Sequence, residues 1–257
     1  MRKYFLLKFI LFCIIFGGSI FLLFFNPYLK ISHWKIEGVQ MVDVKPLDQL
    51  IQIEFQKKWF FFSQDNFFIA LLKSNYLEKV LKKHFLEIEN IQIKPDWKEN
   101  PFGNFVMTIK ERQKAGIWCN NNPENSCFYF DSNGYLFRKS PESKGPFIIE
   151  VTDTASLGLG LGGTVGDTNL VSGLLSLQEE LKKISELVIE NMTIINQNYD
   201  FIMQLTNGWK LYFDPKIDVV NQFRVFNVLI AEKKISPTDR IEYIDLRIKN
   251  KAYIKRP

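Results

Sequence analysis

The chain has 257 residues, of which 46% are hydrophobic, and it carries a formal charge of +5 at pH 7 with a sequence pI near 8.9. Lysine and glutamate are interspersed, so this mild basicity indicates an ordinary solvated surface, with a nearby wall polymer or anionic lipid surface as the alternative. No motif supports a nucleic-acid partner, and the sequence has neither a low-complexity tail nor an internal repeat. Composition therefore points to a folded protein that does not bind nucleic acid.

The N-terminus carries the clearest pattern. Residues Phe9 to Phe25 include no charged side chain, and a helix of about 20 apolar residues crosses the hydrocarbon core of a bilayer. A cleaved signal peptide is the competing interpretation, but its apolar region is shorter, and Asn26-Pro27 offers no small-residue cleavage site. The sequence therefore predicts an uncleaved anchor over residues 9–28, preceded by a tail at 1–8.

The charges around this anchor predict its orientation. Arg2, Lys3 and Lys8 precede the apolar run, and Lys30 and Lys35 follow it. This bias is slight, but a tail of a few residues before a single span commonly stays on the inner side. We expect a cytoplasmic N-terminus, with the remainder of the chain on the outer side of the plasma membrane.

Residues 31–113 have the pattern of a small α+β domain. A period-two stretch predicts the first strand, two segments with helical spacing follow, and two further strands flank a turn at Asn100-Pro101. Asn75 and Glu78 have the spacing of a capping box for the second helix. The order predicts a three-stranded sheet covered on one face by two helices. The predicted segments are a strand at His33–Val39, helices beginning near Pro46 and Asn75, and strands at Ile88–Pro95 and Phe105–Ile109.

Residues 114–257 are predicted to form a mostly antiparallel β domain with two helices. Asn133-Gly134 predicts a type I′ turn, and Asn207-Gly208 predicts the turn of a second hairpin. The predicted strands lie at Trp118–Cys119, Phe128–Asp131, Tyr135–Arg138, Phe147–Val151, Leu187–Ile195, Phe201–Leu205, Trp209–Phe213, Arg240–Arg247 and Ala252–Ile254, and the helices lie near Leu170–Ile184 and Ile217–Glu232.

The cysteines suit an exported domain. Cys13 lies in the anchor, whereas Cys119 and Cys127 flank the turn-rich segment NNNPENS on neighbouring predicted strands. A disulfide between those two is plausible outside the cytoplasm, and two free thiols are the alternative. No CxxC or Cys/His spacing indicates a metal site.

No group of residues predicts catalysis. Gly158, Gly160 and Gly163 match GxGxxG after a strand, but the next predicted helix begins several residues later and no second parallel strand is evident. We therefore interpret this segment as a flexible surface loop. The two histidines, His33 and His84, lie beside the membrane and near a helix end, and neither GxSxG nor HExxH is present. The sequence predicts a non-enzyme without a cofactor.

An aromatic cluster precedes the second predicted helix of the first block. It consists of Phe60, Phe61, Phe62, Phe67 and Phe68. An exposed partner-binding patch is one interpretation. Because phenylalanine occurs 24 times in the chain, we expect most of these rings to lie in the core.

Several short motifs recur in the order and spacing of one known family. They match motifs in the family's opening strand, in the strands that come after it, in its E-R motif, in its Asp-containing turn, in a later strand pair and in its terminal D-l-R. The matching segments are Trp34-Lys-Ile-Glu-Gly-Val39, Ile88-Glu-Asn-Ile-Gln-Ile93 with Trp97, Val106-Met-Thr-Ile-Lys-Glu-Arg112, Tyr129-Phe-Asp131 with Gly134, Asn207-Gly-Trp-Lys-Leu211 and Ile244-Asp-Leu-Arg247. Over nearly its whole length, the chain resembles the FtsQ/DivIB family of bacterial division proteins.

This resemblance implies both architecture and function. It implies a POTRA domain at 31–113, an FtsQ/DivIB-type β domain at 114–257, and a non-catalytic divisome scaffold at the septum. The scaffold would hold FtsB-like and FtsL-like membrane proteins and help regulate septal peptidoglycan synthesis, with a partner strand added to the edge of the sheet. The implied partner-binding residues are Ile248, Lys249, Asn250, Lys251, Ala252 and Tyr253.

Two alternatives to the scaffold remain open at this point. One is a POTRA-type chaperone or secretion subunit, and the other is a membrane-anchored cell-wall enzyme. Asp245 and Arg247 likewise have two interpretations: they mark the partner-binding edge, or they form an ion pair that fixes the end of a strand. The position after Arg247, usually aromatic in the family, is Ile248 here.

Overall fold

The computed structural model describes residues 2–59, 62–63, 65–100, 102–121, 126–140, 148–155, 157–166, 168–181 and 187–257. The chain divides into two compact units, Met1–Arg112 and Gln113–Pro257. The described part is α+β, as predicted: an N-terminal apolar helix, five further α-helices and a large, mostly antiparallel sheet.

Helix α1 (Arg2–Phe25) is long and apolar enough to cross a bilayer. Its window from Leu7 to Phe25 has 19 residues, a mean hydropathy of 2.5 and no buried residue, and it is the single such helix in the described ranges. The predicted anchor extends to residue 28, but the helix ends at Phe25. Asn26 is extended, with φ −71° and ψ 122°, and it begins a short 3-10 helix, Pro27–Leu29.

The rest of the first unit is a three-stranded sheet with its helices. Strand β1 runs parallel to β5, and β4 pairs antiparallel with β5, so the sheet order is β1-β5-β4. The elements are β1 (His33–Glu37), α2 (Val44–Gln56), β2 (Lys58–Trp59), β3 (Phe62–Ser63), α3 (Phe67–Leu72), α4 (Ser74–His84), β4 (Ile88–Pro95) and β5 (Asn104–Glu111).

The apolar faces of these elements meet in one core. Leu47 and Ile51 of α2 and Leu81 of α4 are fully buried and belong to one cluster with Phe105 and Met107 of β5. Their spacing of three to four residues on the helices and two on the strand is the periodicity by which an amphipathic helix packs on a sheet.

Two features of this unit differ from the prediction. Helix α4 begins at Ser74 without a side-chain cap, so the capping box of Asn75 and Glu78 is wrong, and Glu78 instead pairs with Lys82 at 2.8 Å, one turn further on. Helix α3 and the short hairpin β2–β3 are absent from the prediction. Asn66, in front of a continuous apolar run, is the N-cap of α3.

Glu111, at the end of β5, holds the segment between β1 and α2. Its carboxylate accepts the backbone N–H groups of Gln40, Met41 and Val42 at 2.8–3.0 Å. The neighbouring Arg112 donates from Nε to the carbonyl of Leu86 at 3.0 Å. The E-R motif noted in the sequence is therefore structural here, because it satisfies backbone groups at one end of the sheet.

The second unit contains one nine-stranded sheet and two helices. The sheet order is β14-β13-β12-β11-β10-β9-β6-β7-β8. The elements are β6 (Gly116–Asn120), β7 (Cys127–Phe130), β8 (Leu136–Ser140), β9 (Ile149–Asp153), α5 (Thr168–Leu181), β10 (Ile189–Ile194), β11 (Phe201–Leu205), β12 (Lys210–Phe213), α6 (Val219–Ala231), β13 (Tyr243–Asp245) and β14 (Tyr253–Lys255).

Three of the strand pairings in this sheet are parallel: β6 with β9, β9 with β10, and β12 with β13. The expectation that no second parallel strand follows the glycine-rich segment is wrong, because α5 carries the chain from β9 to β10. Met192 and Ile194 of β10 are fully buried, so this strand lies under the helices between β9 and β11. Helix α6 makes the corresponding connection from β12 to β13.

Helices α5 and α6 contact each other over the main core. A Cβ built on Gly173 of α5 would lie 3.0 Å from the side chain of Val219 of α6, so the glycine permits this close approach. Phe223 and Phe226 of α6 are buried as predicted, but Val219 is buried in place of Val220, which is 37% exposed.

The turn at Asn133-Gly134 is not of type I′. That type requires positive φ at both central residues, whereas Gly134 has φ +79° and Asn133 is not among the positive-φ residues. Instead, the carboxylate of Asp131 accepts the N–H groups of Asn133 at 2.8 Å and Tyr135 at 3.0 Å. A side-chain acceptor thus stabilises the tight connection from β7 to β8.

Candidate partner-binding edge of the sheet

Strand β14 lies at one end of the nine-stranded sheet and pairs antiparallel with β13. The carbonyl of Lys255 accepts the N–H of Glu242 at 2.9 Å, so the backbone groups of Lys255 point toward β13. Because backbone groups alternate along a strand, the N–H and C=O of Ile254 point away from β13. In the described residues no strand lies beyond β14, so these two groups form an open edge.

The side chains of β14 also alternate. Ile254 is half-buried and packs against the main core, whereas Tyr253 and Lys255 lie on the opposite face of the sheet and are exposed. Burial of Ile254 and the backbone pairing with β13 both hold this three-residue strand in place, and the two flanking side chains contribute little buried area.

Five of the six predicted partner-binding residues precede the strand rather than form it. Ile248, Lys249, Asn250, Lys251 and Ala252 make the connection from β13 to β14. Of the six, only Tyr253 lies on the edge strand itself. A turn between β13 and β14 accounts for this difference.

A left-handed residue and an internal hydrogen bond define this connection. Asn250 has φ +59°, a conformation that asparagine tolerates better than most residues. The N–H of Lys251 donates to the carbonyl of Ile248 at 3.0 Å, and the side chain of Asn250 accepts from Asn221 of α6 at 3.3 Å. The N–H of Lys251 is therefore used within the turn, and the outward-facing donor of the edge belongs to Ile254.

Arg247 and Asp245 form an ion pair at the base of this edge. Arg247 donates to the two carboxylate oxygens of Asp245 from Nη2 at 2.6 Å and from Nε at 3.0 Å, and its Nη1 lies 3.4 Å from Asp200. The hydrogen bond from Arg247 lowers the pKa of Asp245, and the same contact raises the pKa of the guanidinium. A bidentate pair of this kind fixes the chain where β13 ends.

The exposed face beside the edge carries tyrosines and cations. Tyr212 and Tyr243 pack edge to face with ring centroids 5.4 Å apart. Arg247 lies 5.3 Å from the ring of Tyr212, and Lys255 lies 5.6 Å from that of Tyr243. Neither tyrosine nor Asp200 was identified by sequence reasoning. The alternation of β12 and β13 is the signal that would have placed the two tyrosines on this face.

At the other end of the sheet, Cys119 and Cys127 are directly opposite each other on β6 and β7 and are joined in a disulfide. Both are buried, and they form a small cluster with Ile117. The disulfide therefore ties two neighbouring strands across the predicted turn-rich segment.

The glycine-rich segment is held against β8. Leu136 donates to the carbonyl of Gly163 at 2.9 Å, and Gly162 donates back to Leu136 at 2.8 Å. Gly163 itself donates to the carbonyl of Gly160 at 2.9 Å. The segment lies at the surface, as predicted, and the N–H groups of Gly162 and Gly163 are used within the protein instead of forming the phosphate cradle that GxGxxG indicates elsewhere.

No arrangement for metal chemistry appears in the described ranges: no three His, Cys, Asp or Glu side chains come together. His33 begins β1 and His84 ends α4, and the sequence offers no third histidine.

Comparison with known proteins decides the family. The model described as Cell division protein FtsQ/DivIB, C-terminal, matches residues 117–247, just over half of the chain. The match runs from β6 to Arg247, which pairs with Asp245. The chain belongs to the FtsQ/DivIB family. No curated protein matches it. FtsQ/DivIB proteins are membrane-anchored, non-catalytic division proteins, and this chain is accordingly a cell-division protein with a scaffold role.

The limits of this match are informative. It ends at Arg247 and does not include β14 (Tyr253–Lys255). The matched residues thus include β6 to β13 and the ion pair, whereas the open edge at β14 lies outside the match.

Proposed function

We propose that this FtsQ/DivIB protein is a divisome scaffold that binds FtsB-like and FtsL-like membrane proteins by accepting a partner strand beside β14. The observation that carries the proposal is the orientation of Ile254, whose N–H and C=O face away from the sheet. An added strand would pair with these groups, and backbone hydrogen bonds of this kind bind an extended segment with little demand on its sequence.

The surroundings of β14 support this mode of binding. Tyr253 is 55% exposed, and Tyr243 and Lys255 share its face of the sheet. An incoming strand that alternates would place every second side chain beside these groups. Tyrosine is enriched at protein interfaces because it combines a large apolar area with a polar end.

The proposed scaffold has a defined topology. Residues 1–8 lie in the cytoplasm and helix α1 anchors the chain in the plasma membrane. The residues after α1 lie on the outer side of that membrane, at the division septum. The three-stranded sheet and helices of the first unit support the POTRA domain that the resemblance implies. Through its partners, the scaffold would help to regulate septal peptidoglycan synthesis.

The direct test is a fluorescent fusion in dividing cells combined with affinity purification of the full chain. The proposal predicts accumulation at midcell and recovery of small single-span division proteins with the bait. Uniform membrane fluorescence without such partners would overturn it. A second bait lacks residues 252–257, so it has lost β14 but keeps the anchor. Recovery of the partners with this bait should fall, while its membrane attachment persists.

A further inference from the structure

The side chain of Asn66 connects the end of the membrane helix to α3. Its Nδ2 donates to the carbonyls of Leu23 at 3.1 Å and Phe24 at 3.3 Å, in the last turn of α1. Its Oδ1 accepts the N–H of Phe68 at 3.0 Å in the first turn of α3. The last carbonyls of a helix have no partner within it, so this one amide caps two helices at once.

Backbone contacts reinforce this connection within the first unit. The N–H of Ile31 donates to the carbonyl of Asp65 at 2.7 Å, and Lys30 and Asn66 form an isolated β-bridge. Lys30 also pairs with the carboxylate of Asp65 at 3.5 Å. The start of α3 is thereby fixed at the level where α1 ends. Since α3 has six residues, all of it lies within about 10 Å of that level, at 1.5 Å per residue.

One face of α3 is apolar and remains exposed. Phe67 and Ala70 point into the core of the unit, whereas Leu71 is 43% exposed and Leu72 is 70% exposed. Phe68 lies three and four residues before these leucines, and therefore shares their face.

The same face is continuous with the apolar surface of α1. The ring of Phe68 packs edge to face on the ring of Phe24, with centroids 6.4 Å apart. The residues after α3 also suit a membrane surface. Tyr76 is 47% exposed with the ammonium of Lys73 5.4 Å from its ring, and such residues are enriched where hydrocarbon meets water.

We infer that α3 is an interfacial membrane segment, whose Phe68–Leu71–Leu72 face rests in the lipid at the outer end of α1. The inference rests on the membrane anchoring in the proposed function. The occupant of this face is lipid, because the face continues the lipid-facing surface of α1 and is fixed at the level of its last turn. The first unit would then be held close to the membrane surface at two points, α1 and α3.

The test uses the full chain in nanodiscs without partners, with a nitroxide label at Leu72→Cys in a Cys13→Ser background. Collision with oxygen, which enters the bilayer, is compared with collision with a nickel chelate, which stays in water. We expect the Leu72 label to favour oxygen, at a depth of about 5–10 Å below the lipid phosphates. Leu72 is well exposed, so the label should not disturb folding.

Two further labels make the outcomes distinguishable. Val44→Cys, in the same background, labels an exposed apolar position at the start of α2, beyond the end of β1, and should favour the nickel chelate. Cys13 of the unchanged chain is exposed on α1 and should report hydrocarbon. Suppose that the Cys13 label lies in hydrocarbon but the Leu72 label is as accessible to the nickel chelate as the Val44 label. That result would overturn the inference about α3 and leave the anchor in place. A Cys13 label in water would overturn the anchor, and the inference with it.

Discussion

At one end of the nine-stranded sheet, β8 exchanges hydrogen bonds with the glycine-rich segment before α5, and a disulfide joins the next two strands inward. At the other end, β14 contributes three residues and turns the backbone groups of Ile254 outward. Both ends belong to the same unit, so the contrast is not one of different domains. An exposed edge invites pairing with another chain. In the part of the chain that the structure describes, the glycine-rich segment covers one edge at Leu136, whereas no strand lies beyond β14 at the other.

We infer that the two ends of the sheet have different roles, one in stability and the other in partner binding. Changes near β6–β8 should alter the stability of the second unit and leave partner binding intact. Changes at β14 should alter partner binding with little effect on stability. The ion pair of Asp245 and Arg247 lies between these extremes, because it stabilises the strand that supports the edge.

The largest effect on stability is expected at the closed end. The Cys119→Ser, Cys127→Ser double variant removes a disulfide that links residues eight apart. The loop-closure model predicts a loss of about 2.5 kcal/mol in the free energy of unfolding of the second unit. Urea unfolding of the full chain in detergent measures this, and Cys13→Ser, which alters no disulfide, is the control. Loss of partner binding by the folded double variant would show that the two ends are coupled.

A smaller effect is expected at Arg247. Arg247→Ala removes its hydrogen bonds to Asp245 and Asp200 and should lower the free energy of unfolding by about 1 kcal/mol, because the group is partly exposed and screened by solvent. Arg247→Lys should retain only part of this stabilisation, since an ammonium cannot make the bidentate contact with Asp245. Lys255→Ala, which breaks a surface pair with Glu242, is the matched control. Equal effects of the alanine variants at Arg247 and Lys255 would contradict the assigned role.

The smallest stability effect should appear as a pH dependence. The pKa of Asp245 is lowered in the folded protein, so the pair contributes fully above the unfolded-state value of about 3.9. That contribution is lost as the pH falls through the lower, folded value. Thermal unfolding between about pH 6 and pH 3 should show a decline below about pH 4 that is shallower in Asp245→Asn. Parallel profiles for the two proteins would argue against the ion pair.

Local features of this fold could be predicted from the sequence. Alternation predicted β1 and β4, the turn at Asn207-Gly208 predicted the hairpin of β11 and β12, and apolar spacing predicted α2 and the buried face of α5. Helix α3 was missed because its six residues are apolar on all sides and too short to show a period, although Asn66 was available as a cap. The pairing of β9 with β10 depends on which strands meet after α5, and no local pattern contains that information.

The candidate site was likewise predicted from the sequence only in part. Its position at the end of the chain and the pair Asp245–Arg247 were identified, and the last strand was predicted at Ala252–Ile254, one residue before β14 begins. Most of the predicted partner-binding residues, however, lie in the connection that precedes this strand. A turn around Asn250 depends on its positive φ and on the contact with Asn221 of α6. The second of these is a tertiary contact, so the sequence alone could not place it.

The most direct test of the open edge is a comparison of Ile254→Pro with Ile254→Ala in the full chain. Both variants lose the packing of the isoleucine, but only proline removes the outward N–H. Binding would be measured by titration with the FtsB-like protein recovered in the purification. We predict that proline weakens binding about tenfold relative to alanine, as expected for a lost backbone hydrogen bond of about 1.4 kcal/mol. Equal affinities of the two variants would contradict strand addition at β14.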